Sequence, residues 1–275
     1  MLTTLLLLAA SLNVRGHIGA CAVVLGQSGH AVEIGVDEHF PMQSVYKFPI
    51  GMAVLHAVDD GTLKLDQPVT VRKSELVPAA LHSPIRDDHP AGDFTMPLRE
   101  ILRYAVSESD GTASDVLLRV IGGAPKVQAF LKTLNITDIR VVTTEAVMAA
   151  DNTAQYRNWA TPRAAVALLQ ALHEGRGLSP ASRGLLLEFM TKTGTGPNRI
   201  RGLLPSGTAV AHKTGTSNTV KGITAATNDI GLVTLPNGKT LAIAVFISDS
   251  PEDTIAREGA IAKISRQAWD WSLKQ

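Results

Sequence analysis

Residues 208–249, TAVAHKTGTSNTVKGITAATNDIGLVTLPNGKTLAIAVFISD, determine the fold class that we expect. Segments 208–214, 223–235 and 239–249 alternate apolar and polar side chains with a period of two, which is typical of β-strands. Pro236-Asn237-Gly238 is a hairpin signal between the second and third segments. The stretch therefore predicts three consecutive strands near the C-terminus.

The rest of the chain places further strands and a helix around a helical middle. Residues 17–26 and 31–36 are typical of two more strands, and residues 254–274 of a closing helix. Residues 44–190 follow a helical period, with amphipathic segments at 44–58, 97–106, 113–122, 124–134, 161–175 and 179–190. We expect an α/β plus all-α fold, in which an antiparallel sheet flanked by terminal helices carries a helical insertion lobe. The predicted α/β lobe comprises 1–43 and 193–275, the predicted helical lobe comprises 44–192, and the active site is expected in the cleft between them.

Composition excludes several classes of function. The 26 Lys and Arg nearly balance the 25 Asp and Glu, so no overall field favours nucleic acid or an anionic membrane. Aromatic residues are 4% of the chain, which argues against a stacking platform for bases. The single cysteine, Cys21, excludes an internal disulfide and a Cys-based zinc site, and its place in a predicted strand is typical of a buried apolar residue.

Residues 2–10, LTTLLLLAA, form the longest apolar run and are too short to span a bilayer. The run has the length of the apolar part of a secretory signal, although no Lys or Arg precedes it. An apolar helix packed on the core is the alternative, and both interpretations are open. The expected location is periplasmic or secreted, with no membrane span.

Ser44 and Lys47 stand three residues apart at the start of an apolar helical segment. Side chains with this spacing lie on one face of a helix, and a helix N-terminus stabilises negative charge on a serine oxygen. Lys47 accepts the serine proton if burial or a nearby cation lowers its pKa. The alternative is an exposed lysine on a surface helix, but this is the one Ser-x-x-Lys in the sequence.

Two further motifs come next along the chain. Ser109-Asp110-Gly111 lies between two predicted helices, where Ser109 is a candidate proton relay and Asp110 is expected to brace the turn through backbone N–H groups. A plain turn or helix cap is the alternative.

Lys-Thr-Gly occurs at 192–194, which is typical of a helix exit, and at 213–215, at the end of a predicted strand. At the second copy we expect a pocket for a substrate carboxylate on the strand edge, formed by Lys213, Thr214 and Thr216. Gly215 is expected to let a substrate backbone approach closely.

The three elements in this order resemble the S-x-x-K, S-D-N and K-T-G set of serine penicillin-recognising enzymes. Glu145, which alone would be an ordinary loop glutamate, matches the loop glutamate of class A serine β-lactamases. The segments PMQSVYK, TTEAVM, AHKTGTS and TAATND are most similar to the PER- and VEB-like extended-spectrum branch. The resemblance covers nearly the whole chain. It implies a serine β-lactamase/transpeptidase-like fold and hydrolysis of β-lactam antibiotics. The expected substrates are penicillins and cephalosporins, including bulky oxyimino cephalosporins.

The resemblance also implies roles for single residues. Ser44 attacks the β-lactam carbonyl, and the backbone N–H groups of Ser44 and Thr216 form the oxyanion hole. Lys47 and Glu145 are rival bases for acylation, and Glu145 activates the water for deacylation. Ser109 protonates the leaving nitrogen.

Substrate contacts are implied by the same resemblance. Lys213, Thr214 and Thr216 are expected to hold the substrate carboxylate. Either Arg199 or Arg201 is expected to supply a guanidinium nearby. His82 stands where the family often has an aromatic gate, with an ordinary loop histidine as the alternative. No cofactor and no metal are implied, and we expect a monomer whose partner is the small-molecule β-lactam.

The sequence departs from the family pattern at three places. Gly111 replaces the usual Asn, so its amide contacts to substrate and to Lys47 are absent; such contacts are worth about 1–3 kcal/mol. Ala149 stands where most of the family has an Asn that holds the water, so we expect slowed deacylation. Thr143 and Asn158 replace the Arg–Asp pair that usually pins the loop, which implies a differently folded loop.

Other functions remain as alternatives. A D,D-peptidase or penicillin-binding protein shares the three motifs but acylates and deacylates slowly, and an esterase of the same fold turns over esters alone. The sequence has no G-x-S-x-G, no Walker loop and no H-x-H-x-D-H run, which argues against other serine hydrolases, nucleotide enzymes and zinc β-lactamases.

Overall fold

A computed structural model describes residues 14–29 and 31–274. The apolar run at 2–10, for which two interpretations were open, lies outside these residues. Within them no helix is both long and apolar enough to cross a bilayer.

The strands in chain order are β1 (His17–Val24), β2 (Val32–Ile34), β3 (Phe40–Pro41), β4 (Pro68–Val71), β5 (Phe94–Pro97), β6 (Ile139–Arg140), β7 (Trp159–Ala160), β8 (Val210–Thr216), β9 (Thr219–Val220), β10 (Ile223–Thr224), β11 (Thr227–Thr234) and β12 (Thr240–Ser248). The long strands, β1, β8, β11 and β12, all belong to one central sheet. The five-stranded sheet has the order β2-β1-β12-β11-β8, and every neighbouring pair is antiparallel. Strand β8 is therefore an edge strand, as its predicted role requires.

The helices fill the middle of the chain and close it. They are α1 (Lys47–Asp59), α2 (Pro84–Asp88), α3 (Leu98–Val106), α4 (Gly111–Ile121), α5 (Ala124–Thr133), α6 (Glu145–Ala150), α7 (Pro162–Glu174), α8 (Pro180–Thr191) and α9 (Thr254–Ser272). The expected fold, an antiparallel sheet with a terminal helix and a helical insertion, is confirmed. The lobe boundaries at 43/44 and 192/193 stay a prediction.

Strand β12 shows why the sheet is apolar on both faces. Leu241, Ile243, Val245 and Ile247 pack in the cluster that includes α9, whereas Ala242, Ala244 and Phe246 belong to the larger core on the other face. Helix α7 packs on that second face against β1 and β12. Because successive side chains point to opposite faces of a strand, a strand covered on both sides is apolar throughout.

Helix α1 runs through the helical part of the core. Its residues from Lys47 to Leu55 are all buried, and it packs against α3, α4, α5 and α8. A helix that is apolar all round is stable only when it is surrounded. This burial holds the N-terminus of α1, with Lys47, inside the core, while the half-buried Ser44 lies next to it in the preceding turn.

Two segments differ from the sequence-based expectation. The strand predicted at 223–235 is broken, because Thr224 belongs to the short hairpin β9–β10 and pairs with Ser250, and the sheet strand begins at Thr227. The polar segment after Thr143 was expected to be a loop but contains α6 and a 3-10 helix, Asn152–Arg157. Thr144 and Asp151 cap these two elements by accepting backbone N–H groups.

Gly19 tests the packing between the sheet and the core. A Cβ at this position would lie 2.2 Å from Cε2 of the buried Phe40 and 2.8 Å from Cγ of Pro162. Gly19→Ala is expected to lower the free energy of unfolding by about 1–3 kcal/mol, measured by urea titration, because the core is overpacked. Gly184→Ala is the matched control: nothing lies within 4 Å of its Cβ, and a helical Gly→Ala change raises stability by roughly 0.5–1 kcal/mol. Equal effects of the two substitutions would contradict this account.

Candidate active site

The N-terminus of α1 brings the predicted nucleophile and lysine together. A 3-10 turn, Gln43–Tyr46, leads directly into the helix. Lys47 Nζ donates a hydrogen bond of 2.8 Å to Ser44 Oγ. Lys47 is only 1% exposed, so the alternative of a solvated surface lysine does not describe this structure.

Lys47 Nζ has two further acceptors. It donates to the Ser109 carbonyl at 2.7 Å and lies 2.8 Å from Glu145 Oε1. An ammonium has three N–H donors, and each of them has an acceptor here. The arrangement therefore holds Lys47 as the cation and Glu145 as the carboxylate, with Ser44 Oγ accepting rather than donating.

Ser109 connects two buried lysines. Its carbonyl accepts from Lys47, and its Oγ accepts from Lys213 Nζ at 2.8 Å. The residue has a φ of +59°, a left-handed conformation that is uncommon outside glycine. Asp110 holds this turn as predicted, because its carboxylate accepts the N–H groups of Ile85 and Ala113.

Gly111 begins α4 directly beside Glu145. A Cβ on Gly111 would lie 3.4 Å from Glu145 Cγ and 3.3 Å from the His82 carbonyl, which accepts the Gly111 N–H. The position thus faces the predicted catalytic carboxylate and offers it no side chain, whereas the resemblance implied contacts of the usual Asn with substrate and with Lys47.

The second Lys-Thr-Gly lies on β8 at the edge facing the cleft. Lys213 is fully buried, and burial together with the charge of Lys47 lowers its pKa well below the usual value. Its Nζ also donates to the Thr214 carbonyl, while Thr214 Oγ1 shares a hydrogen bond with Thr195 Oγ1. Lys192 of the first copy is exposed and pairs with Glu188, which agrees with a helix exit.

Gly215 is needed for a reason that the sequence did not reveal. A Cβ there would lie 2.3 Å from the Met42 carbonyl and 3.2 Å from Ser44 N. The missing side chain therefore makes room for the turn that carries Ser44. The sequence analysis expected Gly215 to leave space for a substrate backbone, but a Cβ here would point toward the turn at Ser44 instead.

The two candidate arginines separate clearly. Arg199 is buried, pairs with Glu258 at 3.0 Å and donates from Nη2 to Thr216 Oγ1 at 2.7 Å. Arg201 instead donates to the Thr191 and Val210 carbonyls. Arg199 is thus the guanidinium next to the predicted carboxylate pocket.

His82 lies at the rim of the cleft, where the resemblance implied a gate. It is exposed, and its Nε2 lies 2.8 Å from the Glu108 carbonyl. Together with Ser44, Ser109 and Thr216 it lines a cleft of about 300 Å³.

The loop that carries Glu145 is held by Asp115, which the sequence analysis missed. The Asp115 carboxylate accepts the N–H groups of Glu145 and Ala146 at 2.8 and 2.9 Å. Burial, helped by the charge of Glu145, raises the pKa of Asp115 to about 6, although these two hydrogen bonds act to lower it. The predicted helix at 113–122 contains Asp115, but nothing in the sequence around it indicates that its carboxylate caps the Glu145 segment.

Asn158 replaces the ion pair that usually pins this loop. Its Oδ1 accepts the N–H groups of Val142 and Thr143, and its Nδ2 donates to the Thr143 carbonyl. Asn158 is fully buried, so one neutral amide joins the two ends of the loop.

Ala149 does not occupy the place expected from the sequence. It is exposed, and the residues of this segment that line the cleft are Met148, Asn152 and Gln155. Gln43 donates to Gln155 Oε1, and Gln155 donates to the Asn152 carbonyl at 2.7 Å. These amides, rather than residue 149, provide polar groups near Glu145.

The charged groups of the cleft pair with one another and with hydroxyl groups, as Lys47 does with Glu145 and Lys213 with Ser109. Within the described residues no three His, Cys, Asp or Glu side chains cluster as a metal site would require.

Comparison with known proteins gives consistent results over most of the chain. A family described as "Beta-lactamase enzyme family" matches residues 6–272. Extended-spectrum beta-lactamase PER-1 of Pseudomonas aeruginosa is 41% identical over 238 residues, 86% of this chain and 77% of the relative. Beta-lactamase VEB-1 of the same species is 43% identical over 246 residues, 89% of this chain and 82% of the relative.

Solved structures give the same result. A beta-lactamase from Chitinophaga pinensis DSM 2588 has a TM-score of 0.93 at 43% identity, covering 98% of both chains. The TLA-1 extended spectrum beta-lactamase has a TM-score of 0.94 at 41% identity, again covering 98% of both chains.

The two Lys-Thr-Gly copies provide a matched test of the site geometry. Gly215→Ala is expected to push β8 away from the turn at Ser44, and a displacement of about 1 Å at such a site lowers the rate about a hundredfold. Gly194→Ala has nothing within 4 Å of its Cβ and is expected to keep the parent rate. The measurement is kcat/KM for both variants, with circular dichroism to check folding. A folded Gly215→Ala variant with the parent rate would contradict the assigned contact.

Proposed function

The chain belongs to the class A serine β-lactamases, and we propose that it opens the β-lactam ring through an acyl-enzyme on Ser44. The protein is a hydrolase of β-lactams. The observation that carries the proposed roles of its residues is the position of Lys47 Nζ, 2.8 Å from both Ser44 Oγ and Glu145 Oε1.

Acylation begins with attack of Ser44 Oγ on the lactam carbonyl carbon. Because Lys47 donates to this oxygen in the resting state, it must lose a proton before it can accept one. Glu145 Oε1 lies next to the same nitrogen, so the serine proton passes through Lys47 to Glu145. The N–H groups of Ser44 and Thr216 stabilise the oxyanion.

Ring opening requires a proton on the leaving nitrogen. Ser109 donates its hydroxyl proton to that nitrogen. Lys213 Nζ, which donates to Ser109 Oγ at 2.8 Å, supplies the replacement. The lowered pKa of Lys213, caused by burial, makes this lysine a better acid than an exposed one.

Deacylation is the step in which Glu145 acts as a base toward water. Glu145 first releases to solvent the proton that it gained in acylation, and Lys213 takes up a proton from solvent. The Glu145 carboxylate then takes a proton from a water molecule, whose oxygen attacks the acyl carbonyl carbon. Ser44 Oγ then leaves and regains its proton. With Ala149 turned to solvent, the amides of Gln43, Asn152 and Gln155 are the groups available to hold this water.

The substrate carboxylate is bound at the edge of β8. Thr214 and Thr216 offer hydroxyl groups, and Arg199 orients Thr216 while adding positive charge. Relatives that carry the words "extended-spectrum" in their names support cephalosporins, including oxyimino ones, as substrates beside penicillins.

The assembly state and the location are part of the same proposal. The protein acts as a monomer without a cofactor, in the periplasm or outside the cell, where a β-lactamase meets its substrate before the targets do. A D,D-peptidase or an esterase of this fold is not favoured, since the named relatives are β-lactamases.

A chromogenic cephalosporin tests the proposed reaction. We expect many turnovers per enzyme, because Glu145 is in place for deacylation, and loss of these turnovers in Ser44→Ala. Absorbance is followed past one equivalent while intact mass is read in parallel. A single burst with a persistent adduct would instead identify a penicillin-binding receptor.

Glu145→Gln tests the assigned base. Loss of a general base lowers a rate by about 10²–10⁴-fold, so we expect deacylation to slow at least about a hundredfold and an acyl adduct to accumulate on Ser44. Peptide mass spectrometry locates the adduct. Glu108→Gln is the control, because the half-exposed Glu108 side chain pairs with Arg103 outside the cleft. Turnover of Glu145→Gln at the parent rate would remove Glu145 from the mechanism.

A further inference from the structure

Asn228 lies on β11 in the segment TAATND, which the steps above do not use. Its side chain is fully buried, and its Nδ2 donates to the carbonyls of two successive residues, Pro41 at 2.8 Å and Met42 at 3.0 Å. An amide nitrogen of this kind has two N–H donors, and each of them has an acceptor here. The side chain therefore joins the central sheet to the segment that leads into the turn at Ser44.

The oxygen of the same amide has no partner. Among the described residues none donates a hydrogen bond to Asn228 Oδ1, although this atom is buried. A buried acceptor without a donor lowers stability, and an apolar side chain of similar size would avoid that loss. Exchange of the two amide atoms would place Oδ1 against two carbonyl oxygens, so the contacts fix the orientation of the amide. What an asparagine provides here is thus the pair of donated hydrogen bonds.

These hydrogen bonds hold a turn with an uncommon backbone conformation. Gln43, directly before the nucleophile, has a φ of +45°, in the left-handed region. Such a conformation persists only where the surroundings fix it. The Met42 carbonyl accepts from Asn228 and also from the N–H of Val45 at 3.2 Å. The Met42 N–H donates to the Asn158 carbonyl at 2.9 Å, so both polar backbone groups of this residue are held.

The same contacts lie between the two N–H groups of the proposed oxyanion hole. Asn228 pairs with Gly215 in the register of β11 and β8. A Cβ on Gly215 would lie 2.3 Å from the Met42 carbonyl oxygen and 3.2 Å from Ser44 N. The turn that supplies the Ser44 N–H therefore packs directly on the strand that supplies the Thr216 N–H, and Asn228 donates its hydrogen bonds at this contact.

We propose that Asn228 is a positioning residue for the oxyanion hole, because its amide holds the turn before Ser44 against the sheet. The inference rests on the proposed acyl-enzyme. In acylation Ser44 Oγ bonds to the lactam carbonyl carbon, and in deacylation a water oxygen bonds to the same carbon. Negative charge builds up on the carbonyl oxygen in both steps. Asn228 exchanges no proton in either step, and both steps depend on the position that it gives to the N–H groups.

Arg199 reaches the same contact through backbone atoms. Its Nη1 donates to the carbonyls of Asn228 and Gly215 at 2.9 and 3.2 Å. A change of the Asn228 side chain leaves these carbonyls in place. The proposed site for the substrate carboxylate, with Thr214, Thr216 and Arg199, is therefore expected to keep its contacts. Substitution of Asn228 should lower the rate of the chemical steps and leave substrate binding near its parental strength.

Asn228→Leu tests the proposal, because it keeps a similar size and removes both donors. Misplacement of about 1 Å at a reacting group lowers a rate about a hundredfold, so we expect acylation at saturating substrate to slow by about ten- to a hundredfold. The substrate concentration that gives half of this rate should stay near the parental value. Deacylation should slow by a similar factor, since the same N–H groups serve both steps.

Stopped-flow absorbance with a chromogenic cephalosporin measures acylation, and intact mass follows the decay of the adduct. A parental acylation rate in a folded Asn228→Leu variant, or a loss confined to deacylation, would overturn the proposal. Thermal unfolding of each variant checks folding.

The stretching frequency of the acyl carbonyl reports on the oxyanion hole itself. Hydrogen bonds from N–H donors weaken a C=O bond and lower its frequency. In the Glu145→Gln background the acyl-enzyme is expected to accumulate, and adding Asn228→Leu should move the carbonyl band to higher wavenumber in infrared difference spectra. A role in stability alone would not move this band in the folded protein. An unmoved band would contradict the role of Asn228.

Two further variants complete the comparison. Asn228→Asp keeps the shape of the side chain but replaces the amide donors by a carboxyl group facing two carbonyl oxygens, and it is expected to slow both steps as well. Ile264→Val is the control for lost stability, because Ile264 is buried on α9 in the other core cluster, and it should keep the parent rates. Parental rates in Asn228→Asp, or equal losses in Ile264→Val, would refute the proposal.

The parent protein separates this proposal from the proposed function. Absence of a Ser44 adduct in the parent would refute the proposed function itself. An adduct that forms at the parental rate in Asn228→Leu would refute only the role of Asn228.

Discussion

One buried nitrogen joins the segments that carry the active site. Lys47 Nζ contacts Ser44 in the turn before its own helix, the Ser109 carbonyl before α4 and the Glu145 carboxylate at the start of α6. Because Lys47 is almost fully buried, loss of any of these acceptors would leave part of its charge unpaired. The position of each segment is therefore tied to the other two through a single charge.

The surrounding fold makes this arrangement possible, and the backbone of Ser109 is strained in it. Helix α1 is enclosed on all sides, which keeps the cation dry, and Gly215 lets β8 approach the same turn. Ser109 reaches both lysines only in a left-handed conformation, which costs of order 1–3 kcal/mol. Asp110, with its hydrogen bonds to two backbone N–H groups, holds the turn in that conformation.

Much of the fold and of the site was accessible from the sequence. Strand and helix periods predicted the sheet and the long helices, and Ser44, Lys47, Ser109 and Lys213 converge as their motifs indicated. Short elements such as α6 were missed, because caps like Thr144 act over three residues and leave no period. Asp115 was missed for a different reason: its partner Glu145 is 30 residues away along the chain, and no spacing rule connects the two. What lies next to the Cα of Gly215, and whether the side chain of Ala149 faces the cleft, depend on backbone geometry, which residue identity alone does not give.

The side-chain amide of Asn158 affects how the anchoring of the Glu145 loop responds to salt and acid. An ion pair at the base of the Glu145 loop would weaken in acid and, where exposed, in salt. The three hydrogen bonds of Asn158 carry no net charge and are buried. The anchor that Asn158 provides at the base of the loop is therefore expected to be independent of salt concentration.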